Sequence, residues 1–237
     1  MVYNDTQKMN VFGEIIVYLL SIVVPIGVIL ITKATGNISE IININIVRIC
    51  LLFDNTKQAK KMLIEIVTKN PESYNGHKIL AMLYEKEGGQ RKAVDEYAQV
   101  ISINPKEYDA YFKVATLLTD LDKKDEAIDI IKEIMTTLLQ EKKQTGDPFW
   151  TISCIDLATG TALYLLENNK ELTLKEIYNT AQILTKDDLK KLDKTSSTYC
   201  FLTGTLSAPE ETKGSILSTF NQKIINYVTK ESLQNTI

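Results

Sequence analysis

The side chains that most often perform catalysis are few in this chain and are poorly placed for it. His77 is the only histidine. The acidic pairs Asp187-Asp188 and Glu210-Glu211 are adjacent in sequence, so their side chains would not share a helix face. The patterns typical of a phosphate-binding loop, a serine nucleophile elbow or a zinc protease helix do not occur. The sequence therefore predicts no enzyme activity, no catalytic residue and no cofactor.

Metal binding and nucleic-acid binding are disfavoured as well. Cys50, Cys154 and Cys200 are far apart and odd in number, which indicates neither a zinc site nor a disulfide framework. Unpaired thiols favour a reducing compartment. The net charge is −3, and Arg48 and Arg91 are the only arginines, so a surface that reads phosphate groups is not expected.

A repeat of 34 residues is the main organising feature of the first half of the chain. Alanine, an Asn-Pro pair and tyrosine return at this interval, as Ala59, Ala93 and Ala127, Asn70-Pro71 and Asn104-Pro105, and Tyr74 and Tyr108. This period, with small, aromatic and proline residues at set phases, is typical of stacked helix-turn-helix repeats. We expect three such repeats within residues 38–143.

The turn residues and prolines of each repeat predict two helices. In the first, a helix from Ile38 places Ile46, Val47 and Cys50 on its apolar face. The predicted turns between paired helices are Asp54-Asn55, Gly88-Gly89 and Asp122 to Lys124. We expect the second helix of the third repeat to run on toward Lys143, because no proline closes it.

An uncharged stretch from Ile15 to Thr32 predicts a membrane-spanning helix. Its 18 residues would extend about 27 Å, close to the hydrocarbon thickness of a bilayer. A cleaved signal peptide is the alternative, but the weak basic leader in residues 1–14 and the lack of a clear cleavage site favour an uncleaved anchor. The basic residues near its ends give a slight bias toward a cytoplasmic C-terminal side.

The 34-residue phase is lost beyond Gln144, and residues 147–237 are expected to form a divergent helical region. Helices are predicted from Phe149 to about Leu166 and from Thr173 onward, and a Ser/Thr-rich helix or loop follows near 195–207. A last amphipathic helix begins at Pro209, with Ile216, Phe220, Ile224 and Tyr227 or Val228 in its stripe. This helix either caps the repeats or docks onto a partner or a second copy, and capping is favoured.

On these residues the segment from about Glu40 to Gln140 resembles the tetratricopeptide repeat family. The resemblance implies that the first helices of the repeats line a concave groove that binds proteins or peptides. By phase, the implied groove residues are Ile44, Arg48, Asn75, Lys78, Met82, Glu85, Asp109, Phe112, Lys113 and Thr116. Some relatives hold a C-terminal carboxylate with lysines and asparagines, but Met82 and Lys113 stand where that clamp has asparagines. The alternative is that these residues form a solvent-exposed face with no binding role.

His77 falls where the family has a large packing residue, so we expect its side chain to have a structural role.

Together these observations predict an all-α chain in which a short tetratricopeptide-type solenoid follows an N-terminal transmembrane helix. The expected function is that of a single-pass scaffold at a bacterial cell membrane, whose cytoplasmic repeats recruit partner proteins or peptides. The alternative is a structural subunit that self-associates through its C-terminal helices into a homo-oligomer.

Overall fold

The computed structural model describes residues 38–140 and 147–234, and within these ranges the chain is all-α, as predicted. The described helices are α1 (Ile38–Leu52), α2 (Thr56–Lys69), α3 (Tyr74–Lys86), α4 (Gln90–Ile103), α5 (Tyr108–Asp120), α6 (Lys124–Leu139), α7 (Pro148–Glu167), α8 (Leu174–Ile183), α9 (Lys186–Lys191), α10 (Ser197–Leu206) and α11 (Glu210–Gln234). The predicted tail (1–14) and the predicted membrane segment (15–32) lie outside the described residues.

The helices fall into two compact units that divide between Glu87 and Gly88. Unit one contains α1 to α3, and unit two contains α4 to α11. The predicted domain ranges, 38–143 and 147–237, stay predictions.

The 34-residue period of the sequence is also present in the backbone. Asp54, Gly88 and Asp122 stand at this interval, and their φ angles are 56°, 74° and 59°. The helices after these turns begin at Thr56, Gln90 and Lys124, again at the same interval. Glycine adopts a positive φ without steric cost, whereas the two aspartates use a conformation that short polar residues tolerate. The predicted turns between paired helices are therefore confirmed as local structure.

Hydrogen bonds explain why these turns recur. A residue with positive φ after a helix allows the next N–H to bond back to a carbonyl of the last turn. The Asn55 N–H donates to the Cys50 carbonyl at 2.8 Å, and the Lys123 N–H donates to the Leu118 carbonyl at 2.8 Å. Each of these first helices thus ends with its last carbonyls satisfied.

The Asn-Pro pairs end the second helices in the same way. Asn70 follows α2 and Asn104 follows α4, both with extended backbones. The side-chain oxygen of Asn70 accepts from the Glu72 N–H at 3.2 Å, and that of Asn104 accepts from the Lys106 N–H at 3.2 Å. This local bond gives asparagine an alternative to the helical pattern, which ends the helix before the proline.

Small residues allow the helices to approach closely within each unit. Ala59 on α2, Ala93 on α4 and Ala127 on α6 are buried. In unit one α2 packs against α1 and α3, and in unit two α5 packs against α4 and α6. A short side chain at such contacts lowers the interaxial distance.

The second half of unit two is built around α7, which packs against α6, α8, α10 and α11. The contact with α10 is especially close at Gly160, where an added Cβ would lie 2.7 Å from Leu202 Cγ. Among the described helices, α7 alone is long and apolar enough to cross a membrane, a test that a buried core helix also passes. Cys154, Leu157, Ala158 and Leu165 of α7 are fully buried, so we interpret α7 as a core helix.

The last helix packs against unit two through its predicted stripe. Ile216, Phe220, Ile224 and Val228 are buried, and α11 packs against α6, α7, α8 and α10. The Lys223 ammonium donates to the Leu139 carbonyl at 3.0 Å, which satisfies an acceptor at the C-terminal end of α6. The apolar stripe of α11 is thus covered by other helices of unit two.

Two predictions of helix extent were wrong. Helix α6 ends at Leu139 and not near Lys143, because Gln140 has an extended backbone. The short helix α9 was not predicted; at its start, Asp188 completes a capping box with Thr185.

Candidate functional site

The candidate partner-binding residues belong to three helices, α1 and α3 in unit one and α5 in unit two. Each helix is described within its own unit. Residues 48, 82 and 116 share one phase of the 34-residue period, and residues 44, 78 and 112 share another. Because the helices keep the same phase, the exposure of equivalent residues can be compared directly.

Helix α3 is positioned by polar contacts at its start. The Ser73 hydroxyl accepts from the Gly76 N–H at 3.2 Å and donates to the Glu40 carboxylate of α1. The same carboxylate accepts from the Asn70 side-chain amide at 2.6 Å. Glu40 therefore fixes α1 against the turn between α2 and α3.

Close packing at Gly76 holds α3 against α2. A Cβ at this position would lie 2.7 Å from Ser73 Oγ and 3.0 Å from Val67 Cγ1. At the other end of α3, the Lys60 ammonium of α2 pairs with Glu87 and lies 4.6 Å from the centroid of the Tyr84 ring. Contacts to α1 and α2 thus set the rotation of α3 and decide which of its faces is exposed.

Four candidate residues follow one face of α3. Asn75 and Met82 are exposed, and Lys78 and Glu85 are half-buried. Met82 is 55% exposed. The Lys78 ammonium donates to the Tyr74 hydroxyl at 3.3 Å and lies 5.6 Å from the centroid of that ring. The face therefore combines an amide, an apolar thioether and two charged groups.

On α1, Arg48 is exposed at the position equivalent to Met82. Ile44, in contrast, is buried, so its predicted exposure to a partner was wrong. Its side chain lies on the same side of α1 as Val47, which is fully buried. Ile44 thus belongs to the core, and Arg48 is the candidate that α1 presents to solvent.

On α5, two of the four candidates are exposed. Asp109 and Lys113 are exposed, whereas Thr116 is half-buried and its hydroxyl donates to the Phe112 carbonyl at 2.9 Å. Phe112 is only 2% exposed, and its assignment as a groove residue stays a prediction. The apolar ring of Phe112 is covered by neighbouring side chains, whereas Lys78, at the same phase of α3, is half-buried.

The single histidine of the chain has a structural environment. His77 is buried, and its Nε2 lies 3.0 Å from the Pro71 carbonyl oxygen. This contact joins α3 to the turn that precedes it. The predicted packing role of the imidazole is confirmed by its burial.

The titratable side chains of the described residues were compared for clustering and for shifts of their pKa. Within the described ranges, no group of three or more His, Cys, Asp or Glu residues could hold a metal ion. Burial raises the pKa of the Cys154 thiol to about 11, although the nearby Lys223 ammonium acts in the opposite direction. Such a thiol stays protonated near neutral pH, and the thiolate is the nucleophilic form.

The perturbed carboxylates have local structural explanations. The Thr185 hydroxyl and the Lys191 ammonium hold the pKa of Asp188 at about 2 within the capping box. Burial raises the pKa of Asp156 on α7, and Lys132 partly opposes this effect. The pKa shifts of both carboxylates thus follow from burial and from contacts with neighbouring side chains.

One surface was missed when the sequence was considered alone. Ile41, Ile49, Leu52 and Phe53 are exposed on α1 or directly after it. Comparing each residue with those 34 and 68 positions later would have revealed Ile41 and Leu52, because the equivalents of Ile41 are Asn75 and Asp109 and those of Leu52 are Lys86 and Asp120. The apolar outer side of α1 is the feature that departs from the repeat pattern.

The sequence matches no protein-family model and no curated protein.

Proposed function

We propose that this chain is a membrane-anchored repeat protein of the tetratricopeptide type, which recruits partner proteins or peptides through its first helices. The observation that carries the proposal is the recurrence of turn geometry at Asp54, Gly88 and Asp122. A turn and a helix start that return every 34 residues support an assignment to the class of stacked helix pairs.

The exposed faces of the first helices support a binding role. Helix α3 presents a thioether (Met82) and a lysine (Lys78), and α5 presents a second lysine (Lys113). Methionine adapts its shape to different apolar partners, and lysine pairs with carboxylates. We propose that the partner segment carries both an apolar and an acidic side chain.

A non-enzymatic role without cofactors is part of the proposal. It is supported by the structural contact of His77 with Pro71 and by the burial of Cys154. Neither group is placed as a general base or a nucleophile would need to be.

Self-association through the C-terminal helices is the less favoured alternative. The apolar stripe of α11 would have to supply that contact, yet Ile216, Phe220 and Ile224 are already buried within unit two. We therefore propose that α11 caps this unit and does not form an interface with a second copy.

The anchor is proposed from residues 15–32, whose length and composition fit a bilayer. Helix α7 is not needed for this role, because it packs against four helices of unit two. The proposed location is the cell membrane with the repeats in the cytoplasm, which suits a chain whose described cysteines are all free thiols.

Site-specific photo-crosslinking of the full chain in its native cells tests the proposal. A benzophenone amino acid at Met82 is expected to form discrete adducts with partner proteins on illumination. The matched control is the same probe at Ile64, an exposed apolar position on the second helix of the first repeat. Adducts of equal yield at both positions, or none at Met82, would remove the first-helix face from the proposal.

Flotation of cell membranes in the same experiment separates the two parts of the proposal. The full chain is expected to float with membranes and to resist extraction by salt or alkali. A chain that is released by alkali has no spanning anchor, whatever its partners are.

A further inference from the structure

Helix α1 has a buried side and an unusually apolar exposed side. Val47 and Ile46 face the core of unit one. On the opposite side, Ile41 is 70% exposed and Leu52 is 82% exposed. Phe53, directly after the helix, is also exposed. A contiguous set of large apolar side chains in water normally marks a contact surface.

Comparison within the chain shows that this side is special to α1. The residue equivalent to Leu52 is Lys86 on α3 and Asp120 on α5, and both are exposed. The residue equivalent to Ile41 is the exposed Asn75 on α3. Positions that carry polar side chains in the later repeats are thus apolar in α1. Stacking of repeats does not explain Ile41 and Leu52, because the later repeats leave their positions in solvent. Ile49 differs from them, since its equivalents Leu83 and Leu117 are buried.

The position of α1 along the chain indicates what covers this side. The predicted membrane span ends at Thr32, and α1 begins at Ile38. Six residue steps reach at most about 22 Å, and the 15 residues of α1 extend over about 22 Å. A bilayer surface therefore lies within reach of the helix, so that α1 could lie along it.

The polar members of the exposed side suit a lipid interface. Arg48 and Asn45 are exposed between the apolar positions. A guanidinium at the level of the headgroups contacts phosphate while its stem lies along apolar surface. Apolar residues with an interspersed cation are the composition of helices that lie in the membrane plane.

We propose that the outer side of α1, formed by Ile41, Asn45, Arg48, Ile49, Leu52 and Phe53, rests on the lipid headgroup layer next to the membrane span. This inference rests on the proposed membrane anchor. It adds that unit one is held against the bilayer by a second contact, which would limit its rotation about the short linker.

Quenching of tryptophan by brominated lipids tests this contact. The full chain carries Trp150→Phe, which removes its only tryptophan, and is reconstituted into phosphatidylcholine/phosphatidylglycerol vesicles. Leu52→Trp is expected to lose most of its emission when the acyl chains are brominated. Lys86→Trp, at the equivalent exposed position of α3, is the matched control and is expected to keep its emission.

The possible outcomes separate this inference from the anchor. Vesicle flotation with an unquenched Leu52→Trp would retain the anchor and overturn the α1 contact. A blue-shifted but unquenched Leu52→Trp would assign the surface to protein, either residues 1–37 or a second copy, and would also overturn it. Equal quenching of Lys86→Trp would show that the contact is not specific to α1. Failure to float would reject the anchor, and the α1 contact with it.

Discussion

The close contact between α7 and α10 allows a specific prediction about stability. Replacing a helical glycine by alanine usually stabilises a helix, but at Gly160 the added methyl group should not stabilise the protein. In Gly160→Ala, the new Cβ would lie 2.7 Å from Leu202 Cγ, 2.8 Å from Leu202 Cδ2 and 3.0 Å from Phe201 Cβ. Leu202 is fully buried, so it has no solvent into which it can move. The helices must separate, or Leu202 must leave its rotamer.

The magnitude follows from two opposing effects. Overpacking of a core by one carbon costs about 1–3 kcal/mol. Alanine is about 1 kcal/mol better than glycine in a helix interior. Gly160→Ala should therefore lower the free energy of unfolding by about 0–2 kcal/mol.

The matched control is Gly204→Ala on α10, where nothing lies within 4 Å of the added Cβ. Only the helix propensity changes there, so the free energy of unfolding should rise by up to about 1 kcal/mol. Urea unfolding followed by Trp150 fluorescence measures both variants. Trp150 is the only tryptophan and lies at the start of α7, so its signal reports unit two. If the two variants shift the urea midpoint equally and in the same direction, the close approach at Gly160 is refuted.

Three further predictions concern unit two. Thr185→Ala removes the N-cap of α9 and should lower the free energy of unfolding by about 1 kcal/mol, or Tm by about 2–4 °C, whereas Thr185→Ser should retain the cap. Equal Tm values of the two variants would contradict the capping role of Thr185. In the folded protein at neutral pH, maleimide should modify the exposed Cys200 long before the buried Cys154. Mass spectrometry of the digest measures both, and equal rates would contradict the burial of Cys154. Because burial raises the pKa of Asp156, the folded state holds this proton more tightly than the unfolded state, and stability falls as the pH rises through the folded pKa. Asp156→Asn should therefore raise Tm at pH 7 and lose this advantage below the ordinary aspartate pKa of about 3.9. A lower Tm of the variant at pH 7 would contradict the predicted sign.

Local sequence signals predicted most of the helical frame. Asn70 ends α2 because its side chain bonds to the next backbone N–H groups, and Gly88 permits the turn that follows α3. Such features depend on a few neighbouring residues, so they can be inferred without knowledge of the fold. The end of α6 carries no comparable signal, and the prediction missed it by four residues.

Burial of individual side chains was harder to predict, because it depends on contacts between helices. Phe112 and Lys78 occupy the same phase, yet the first is buried and the second keeps part of its surface in solvent. The period alone cannot distinguish them. Side-chain chemistry adds the missing information, since an aromatic ring gains by being covered and an ammonium group does not.

The residues that repeat and the residues that vary have different consequences for function. Ala59, Ala93 and Ala127 recur because each is buried at a helix contact, where a larger side chain would force the helices apart. Arg48 and Met82 share a phase and are both exposed, so packing places little constraint on their chemistry. If a partner binds as proposed, Met82 on α3 is the non-repeating position that selects it, because Arg48 belongs to the proposed lipid surface of α1. The surface of α1 differs from the equivalent surfaces of the later repeats. Ile41 and Leu52 are apolar at phases that are polar elsewhere, so packing of the helices does not require them. Their exposure to water is unfavourable unless another surface covers them. The chain that precedes α1 leads to a predicted membrane span, which makes lipid the nearest candidate to do so.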